Sequence, residues 1–494
     1  MTYLLALDQG TTSTRAMIFD YQGRPVEAVQ KILPQSFPNN GWVEHDAERI
    51  WQDSLSCLQE VIVKAGLTAK DITAMGISNQ RETTVVWDKH TGKPIAPAIV
   101  WQDRRTATFC DALRQDKDLV ECIAEKTGLL MDPYFSATKI AWLLKHVAGA
   151  KEAAEKGDLL FGTIDSFLLW NLTGGERHVT DMTNASRTML YNIHTFEWDK
   201  DLCELFRVPE VMLPQVMGNC GEFGITAKGL FDTPIAITGM AGDQQAATVG
   251  QACFKKGMAK STYGTGCFVL LNTGEKALRS KNRLLTTIAY QIFDDIAYGL
   301  EGSIFVAGSA MQWLRDGLGV LEDTRDSEKM ARSVGNTGGV YLIPAFTGLG
   351  APYWDTQARG ALFGLTRDTN KAQIARAALE SVAYQTKDLL VAMEKDGAQN
   401  FRKLRIDGGM ANNVWFDQFL SDMLQLPIDM PDCIESSALG AAFLAGLGAG
   451  VYKDLDEVAA LWHMSQEFKP QMNQEQAEIL YHGWLDCVSR IRTS

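Results

Sequence analysis

Tyr3-Leu4-Leu5-Ala6-Leu7-Asp8-Gln9-Gly10-Thr11-Thr12-Ser13-Thr14 is the stretch that decides the fold. Its apolar run, residues 3–7, predicts a buried strand. Residues 8–14 predict a turn, and residues 16–19 a second strand. Residues 20–23 turn again before a third strand at 26–31. The second half opens the same way. Met258-Ala259-Lys260-Ser261-Thr262 leads into the turn Tyr263-Gly264-Thr265-Gly266, a strand at 267–271 and the turn Asn272-Thr273-Gly274. A strand, a Gly-Thr turn, a strand and a turn thus head each half. The repetition predicts a duplicated domain with a cleft between the copies.

Outward from these hairpins, strands are expected at 72–78 and 83–87, flanking Asn79-Gln80-Arg81-Glu82. Residues 47–65 and 371–393 carry apolar side chains at helical spacing. Residues 404–406 run into Asp407-Gly408-Gly409, with a helix from about Asn413. Mixed strands and helices point to α/β layers. The chain has 494 residues, and single cores stop growing near ~250–300 residues. Two domains are therefore expected, residues 1–250 and 251–494, with the boundary near Gly250 to Gly257.

Composition narrows the function. Net charge is −13, from 47 basic and 60 acidic residues, which argues against a nucleic-acid partner. It leaves room for an anionic ligand, because a local glycine loop can hold a phosphate. The nine cysteines include no Cys-x-x-Cys pair, so reduced thiols are expected rather than disulfides or zinc. Leu4 to Leu7 is too short for a secretory core. The small-apolar run at 438–450 falls short of the ~20 residues that span a bilayer. A cytoplasmic protein without membrane insertion is expected.

Neither a Walker A pattern nor Gly-x-Gly-x-x-Gly is present, which lowers a P-loop or Rossmann reading. Three turns at strand ends take their place: Asp8-Gln9-Gly10-Thr11-Thr12, Gly264-Thr265-Gly266 and Asp407-Gly408-Gly409. Glycine lets backbone N–H groups approach a phosphate, and threonine adds a hydroxyl donor. Each turn alone reads as a hairpin connection; three, mirrored across the halves, read as a phosphate site. An acidic residue beside such a loop calls for a cation, so Asp8 suggests Mg²⁺. Arg81 and Glu82 offer a donor and an acceptor for paired alcohol groups, or else a surface ion pair of little worth. Asp243 follows Gly239-Met240-Ala241-Gly242, a flexible lead-in. It can accept an alcohol proton or cap a helix beginning at Gln244, and the two roles are compatible.

The chain resembles the FGGY carbohydrate kinases from Leu5 to about Gly446. The resemblance rests on residues 8–12 (DQGTT), 79–84 (NQRETT), 100–106 (VWQDRRT), 132–135 (DPYF), 183–189 (TNASRTM), 242–247 (GDQQAA), 262–266 (TYGTG) and 346–354 (FTGLGAPYW). It implies two ribonuclease H-like, actin-like ATPase domains around a deep cleft. It implies ATP-dependent, Mg²⁺-assisted phosphorylation of a small polyol, glycerol first. Another polyol or sugar such as erythritol, xylulose or gluconate is the alternative, and a non-catalytic actin-like scaffold a remoter one. By the same resemblance, Arg81, Glu82 and Tyr134 hold the polyol hydroxyls, with Trp101 and Phe268 as an apolar wall. Asp243 is the general base, with Gln244 at the substrate edge. Thr11, Thr12, Ser13 and Arg15 lie near the phosphates, faced by Thr265. Gly308, Gln312, Gly409 and an asparagine line the nucleotide, and Asp8, with Asp243 through water, holds Mg²⁺. Two residues, Met410 and Ala411, separate Gly409 from the paired asparagines, where the family commonly has three, so Asn412 and Asn413 remain alternatives. Residues 227–233 (AKGLFDT) lack the arginine of the family's fructose 1,6-bisphosphate loop, so that regulation is not expected. A homodimer or homotetramer is the implied assembly.

Overall fold

The computed structural model describes residues 2–355, 357–398 and 401–493. The outermost residues of the two expected domains, Met1 and Ser494, lie outside the described residues. A six-stranded sheet carries the first half, in the order Cys220–Ile225, Ala236–Gly242, Ile72–Asn79, Tyr3–Gln9, Ser13–Asp20, Pro25–Ile32. A seven-stranded sheet carries the second, in the order Leu285–Ile292, Asp295–Ile304, Cys267–Gly274, Ala259–Tyr263, Leu404–Asp407, Ile428–Pro431, Met464–Phe468. The plans match. Tyr3–Gln9 runs antiparallel to Ser13–Asp20 and parallel to Ile72–Asn79. Ala259–Tyr263 runs antiparallel to Cys267–Gly274 and parallel to Leu404–Asp407. The duplication read from the hairpins is therefore present, and each half forms a lobe.

The strands extend further than expected. Asp8 and Gln9 belong to the first strand, paired with Arg15 and Thr14 of the second, which begins at Ser13. The turn is only Gly10-Thr11-Thr12, closed by the Gly10 N–H donating to Ser13 O at 2.9 Å. The lead-in to Asp243 is not flexible: Gly239 to Gly242 form the buried end of a strand. The expected helices run Ala47–Lys64 and Lys371–Lys395. All nine cysteines are free, and no helix among the described residues is long and apolar enough to cross a membrane.

Equivalent helices of the two lobes cross at their junction. Asp243–Gly250 follows the Ala236–Gly242 strand, and Ser436–Gly448 follows Ile428–Pro431. Ser436–Gly448 also lies on the first lobe's sheet, where Thr238 Oγ1 donates to Ala445 O at 2.8 Å. Small residues allow this approach. A Cβ on Gly440 would stand 1.8 Å from Ala246 O, and one on Gly250 2.1 Å from Ser436 O. Both obstacles are backbone, so only helix displacement relieves the clash. Gly440→Val should lower unfolding free energy by about 1–3 kcal/mol or more, as overpacking does. Urea denaturation measures it, and wild-type stability would contradict the tight crossing.

Candidate active site

Segments of both lobes meet at the junction. Arg81 and Glu82 follow the Ile72–Asn79 strand, and Asp243 starts the helix after Ala236–Gly242. These are neighbouring parallel strands of one sheet, so their ends bring the residues together. Arg81 Nε lies 3.1 Å from Asp243 Oδ1. The surface ion pair considered for Arg81 and Glu82 does not form. Both are buried, 3% and 1% exposed, and each turns to another partner. Arg81 Nη2 donates to Glu301 Oε1 at 3.1 Å, and its Nη1 to Glu301 Oε2 and Gln245 Oε1. Glu82 Oε1 accepts from Arg187 Nε at 2.6 Å. Glu82 has φ +60°, a left-handed conformation costing on the order of 1–3 kcal/mol outside glycine.

Asp243 is the first residue of its helix and Gly242 is the N-cap, so Asp243 does not cap the helix as expected. Its Oδ1 accepts the Gln244 N–H at 2.7 Å, which anchors the carboxylate at the helix start, and its side chain remains 27% exposed. The helix begins at Asp243 itself, one residue earlier than expected. Gly242 N–H donates to Thr183 Oγ1 at 2.9 Å, and that hydroxyl donates to Asp181, so the backbone before Asp243 is fixed from behind. Gln244 Oε1 accepts from buried Lys260 of the second lobe.

An aromatic wall closes one side. Trp101 and Tyr134 meet edge-to-face at 5.5 Å, and Trp101 and Phe268 at 6.1 Å. Phe268 comes from the second lobe and lies 5.7 Å from the Arg81 guanidinium carbon. Trp101 Nε1 donates to Thr11 Oγ1 at 2.9 Å, which joins the wall to the first Gly-Thr turn. The Tyr134 hydroxyl has no protein partner among the described residues. Burial raises its pKa, so it remains a neutral donor and acceptor.

Asp8 lies one residue before the end of its strand, beside these groups. Burial pushes its carboxyl up to about 6, with Arg15 opposing and Asp243 adding to the rise. Two carboxylates close enough to repel each other suit a cation between them. Among the described residues no cluster of three or more His, Cys, Asp or Glu could hold a metal alone. The donor set fits Mg²⁺, which keeps waters and takes phosphate oxygens beside one or two carboxylates. Arg15 is committed elsewhere: it pairs with Glu435 of the second lobe, and its Nη2 donates to Gln30 Oε1 at 2.8 Å. Thr12 is exposed, whereas Thr11 and Ser13 are half-buried.

The second lobe holds a cavity of about 500 Å³ lined by Gly264, Thr265, Gly308, Gln312, Gly409 and Asn412, together with Asn413 and others. The Gly264-Thr265-Gly266 turn seats on the helix Gly308–Asp316: Thr265 O accepts from the Ala307 and Ser309 N–H groups. The two asparagines differ. Asn413 caps the helix Val414–Leu424, accepting from Phe416 N–H at 2.9 Å. Asn412 is exposed, and only its Nδ2 is engaged, with Gly409 O at 3.3 Å. Asn412 is thus the freer group facing the cavity.

Sequence reading missed Glu301, Arg187, Gln245 and Lys260. Arg187 stands inside the TNASRTM stretch. Glu301 is the only charged residue in the buried run 297–304, a signal that was available.

Comparison with known proteins identifies the family. The family model for the FGGY family of carbohydrate kinases, N-terminal domain, matches residues 3–250. Its C-terminal counterpart matches residues 259–449. Glycerol kinase of Coxiella burnetii is 56% identical over 492 residues, covering 100% of this chain and 98% of that protein. Glycerol kinase of Rhizobium meliloti is 57% identical, covering 99% and 98%. The Plasmodium falciparum glycerol kinase solved with ADP superposes with a TM-score of 0.90 at 36% identity, covering 99% and 98%. Both halves match in order, and the relatives align over nearly their whole lengths: the chain belongs to the FGGY family of carbohydrate kinases.

Proposed function

We propose that the protein transfers the γ-phosphoryl group of ATP to glycerol, giving ADP and sn-glycerol 3-phosphate. The observation that carries this reading is the 3.1 Å contact of Arg81 with Asp243. A polyol anchor and a proton acceptor stand side by side at the lobe junction, beside a wall of three aromatic rings. One glycerol hydroxyl loses its proton to Asp243 as its oxygen bonds to the γ-phosphorus. The bond from that phosphorus to the β,γ-bridging oxygen breaks, and ADP leaves with the electron pair. Arg81, Glu82 and Tyr134 orient the other hydroxyls, Gln244 borders the substrate, and Trp101 and Phe268 cover the carbons.

The nucleotide lies in the second-lobe cavity against Gly308, Gln312, Gly409 and Asn412. Its phosphates reach between Thr265 and the Thr11-Thr12-Ser13 turn. Asp8, with Asp243 through water, would hold Mg²⁺, which neutralises charge on the phosphates when bound. Arg15 contributes to this end of the site through its field, its guanidinium being paired with Glu435. Closure of the lobes excludes water and limits wasteful ATP hydrolysis. The reaction belongs to a cytoplasmic homodimer or homotetramer, a compartment that suits nine free thiols.

Purified protein with Mg-ATP and a panel of polyols and sugars tests the reading by ADP release. Glycerol should give the highest kcat/KM. A better four- or five-carbon substrate would replace it, and ATP turnover independent of any alcohol would remove the kinase.

A further inference from the structure

Five charged side chains alternate in sign across the junction: Asp243, Arg81, Glu301, Arg187 and Glu82. Glu301 is the middle member and is 0% exposed. It lies on the Asp295–Ile304 strand of the second lobe, whereas the other four belong to the first. One carboxylate oxygen accepts from both Arg81 Nη2, at 3.1 Å, and Arg187 Nη2, at 2.9 Å, and the other accepts from Arg81 Nη1. Burial alone would raise its pKa, yet the guanidiniums of Arg187 and Arg81 hold it down to about 2. Gln245 adds to the tie: it accepts from Arg81 and donates to Ile288 O of the second lobe at 3.2 Å.

The Arg81 guanidinium is therefore aimed by a residue of the opposite lobe. With Nη1 and one side of Nη2 committed to Glu301 and Gln245, its Nε edge is turned to Asp243 and the polyol space. Among the described residues, Arg81 is the one candidate polyol group to which Glu301 is hydrogen-bonded. We propose that Glu301 is a positioning residue: it carries the approach of the second lobe into polyol affinity by fixing Arg81, so that the polyol site is complete only when the lobes are together. The inference rests on the glycerol reading of the site and deepens it.

Steady-state kinetics of Glu301→Gln, alone and combined with Arg81→Ala, tests it. The single variant should raise the glycerol KM about tenfold, the scale of an ordinary coupling between sites, and leave the ATP KM unchanged. In the Arg81→Ala background the same substitution should add nothing, because Glu301 acts through that side chain. Equal multiplicative losses in both backgrounds, or parallel loss of ATP and glycerol affinity, would overturn the proposal. If the Gln variant does not fold, Glu301→Asp keeps the charge and shortens its reach. Glycerol KM should then rise with ATP KM unchanged, and a wild-type glycerol KM would overturn it. If the wild-type protein prefers another polyol, the glycerol reading fails separately, and the same comparison is made with that polyol.

Discussion

Asp243→Asn should leave a folded protein that binds Mg-ATP but phosphorylates glycerol on the order of 10²–10⁴-fold more slowly, the range for loss of a general base. The substitution is nearly isosteric. Asparagine keeps an oxygen that can accept the Gln244 N–H, now at 2.7 Å, and face Arg81 Nε, now at 3.1 Å. Thr183 still holds the Gly242 amide behind it. What vanishes is the acceptor for the alcohol proton and one negative charge. Arg81 is not left uncompensated, because Glu301 takes both of its Nη groups. The nucleotide cavity lies in the second lobe, and Asp243 would reach Mg²⁺ only through water, so calorimetric ATP affinity should change little. The measurement is single-turnover phosphoryl transfer beside nucleotide titration. A kcat within tenfold of wild type would remove Asp243 from the proton's path.

The hairpins at the head of each lobe were legible because a strand, a Gly-Thr turn and a strand form a local pattern. The turn limits were less so. Ser13 and Thr14 read as turn residues, yet the third strand recruits them, pairing Ser13 with Ile32 and Thr14 with Lys31. That pairing cannot be seen within the hairpin itself. The run 438–450 looked like an apolar segment short of a membrane span. Its small residues serve the crossing with Asp243–Gly250, which brings together positions nearly two hundred apart in sequence. At the site, Arg81, Glu82, Trp101, Tyr134, Asp243 and Phe268 do converge. Glu301 stood out as a lone charge in its run, but its pairing with Arg81 and Arg187 was not legible, because these residues are far apart in sequence and the choice among buried arginines and carboxylates is made in three dimensions. Arg15 shows the same limit: its neighbours in the hairpin gave no hint of Glu435.

Arg81→Met and Arg81→Lys should fail in different ways, and the contrast weighs charge against shape. Methionine fills similar volume and removes the charge. Glu301 keeps Arg187, at 2.9 Å, but Glu301 and Glu82 then share a single guanidinium and Asp243 loses its ion pair. Breaking a buried pair by removing one partner costs about 3–5 kcal/mol, so Arg81→Met should melt well below wild type. Lysine restores the charge but not the planar fork. One ammonium cannot span Asp243 on one edge and both oxygens of Glu301 on the other. Arg81→Lys should recover much of the stability, while its glycerol KM rises roughly 10–100-fold, the worth of one charge-assisted hydrogen bond. Thermal melts and glycerol kinetics on the two variants separate the terms. If lysine restores both stability and KM, a point charge suffices and the guanidinium geometry is incidental. If lysine melts as low as methionine, the fork holds the lobes together as well as the polyol, because the atoms that neutralise Glu301 belong to the same rigid plane as the edge facing Asp243.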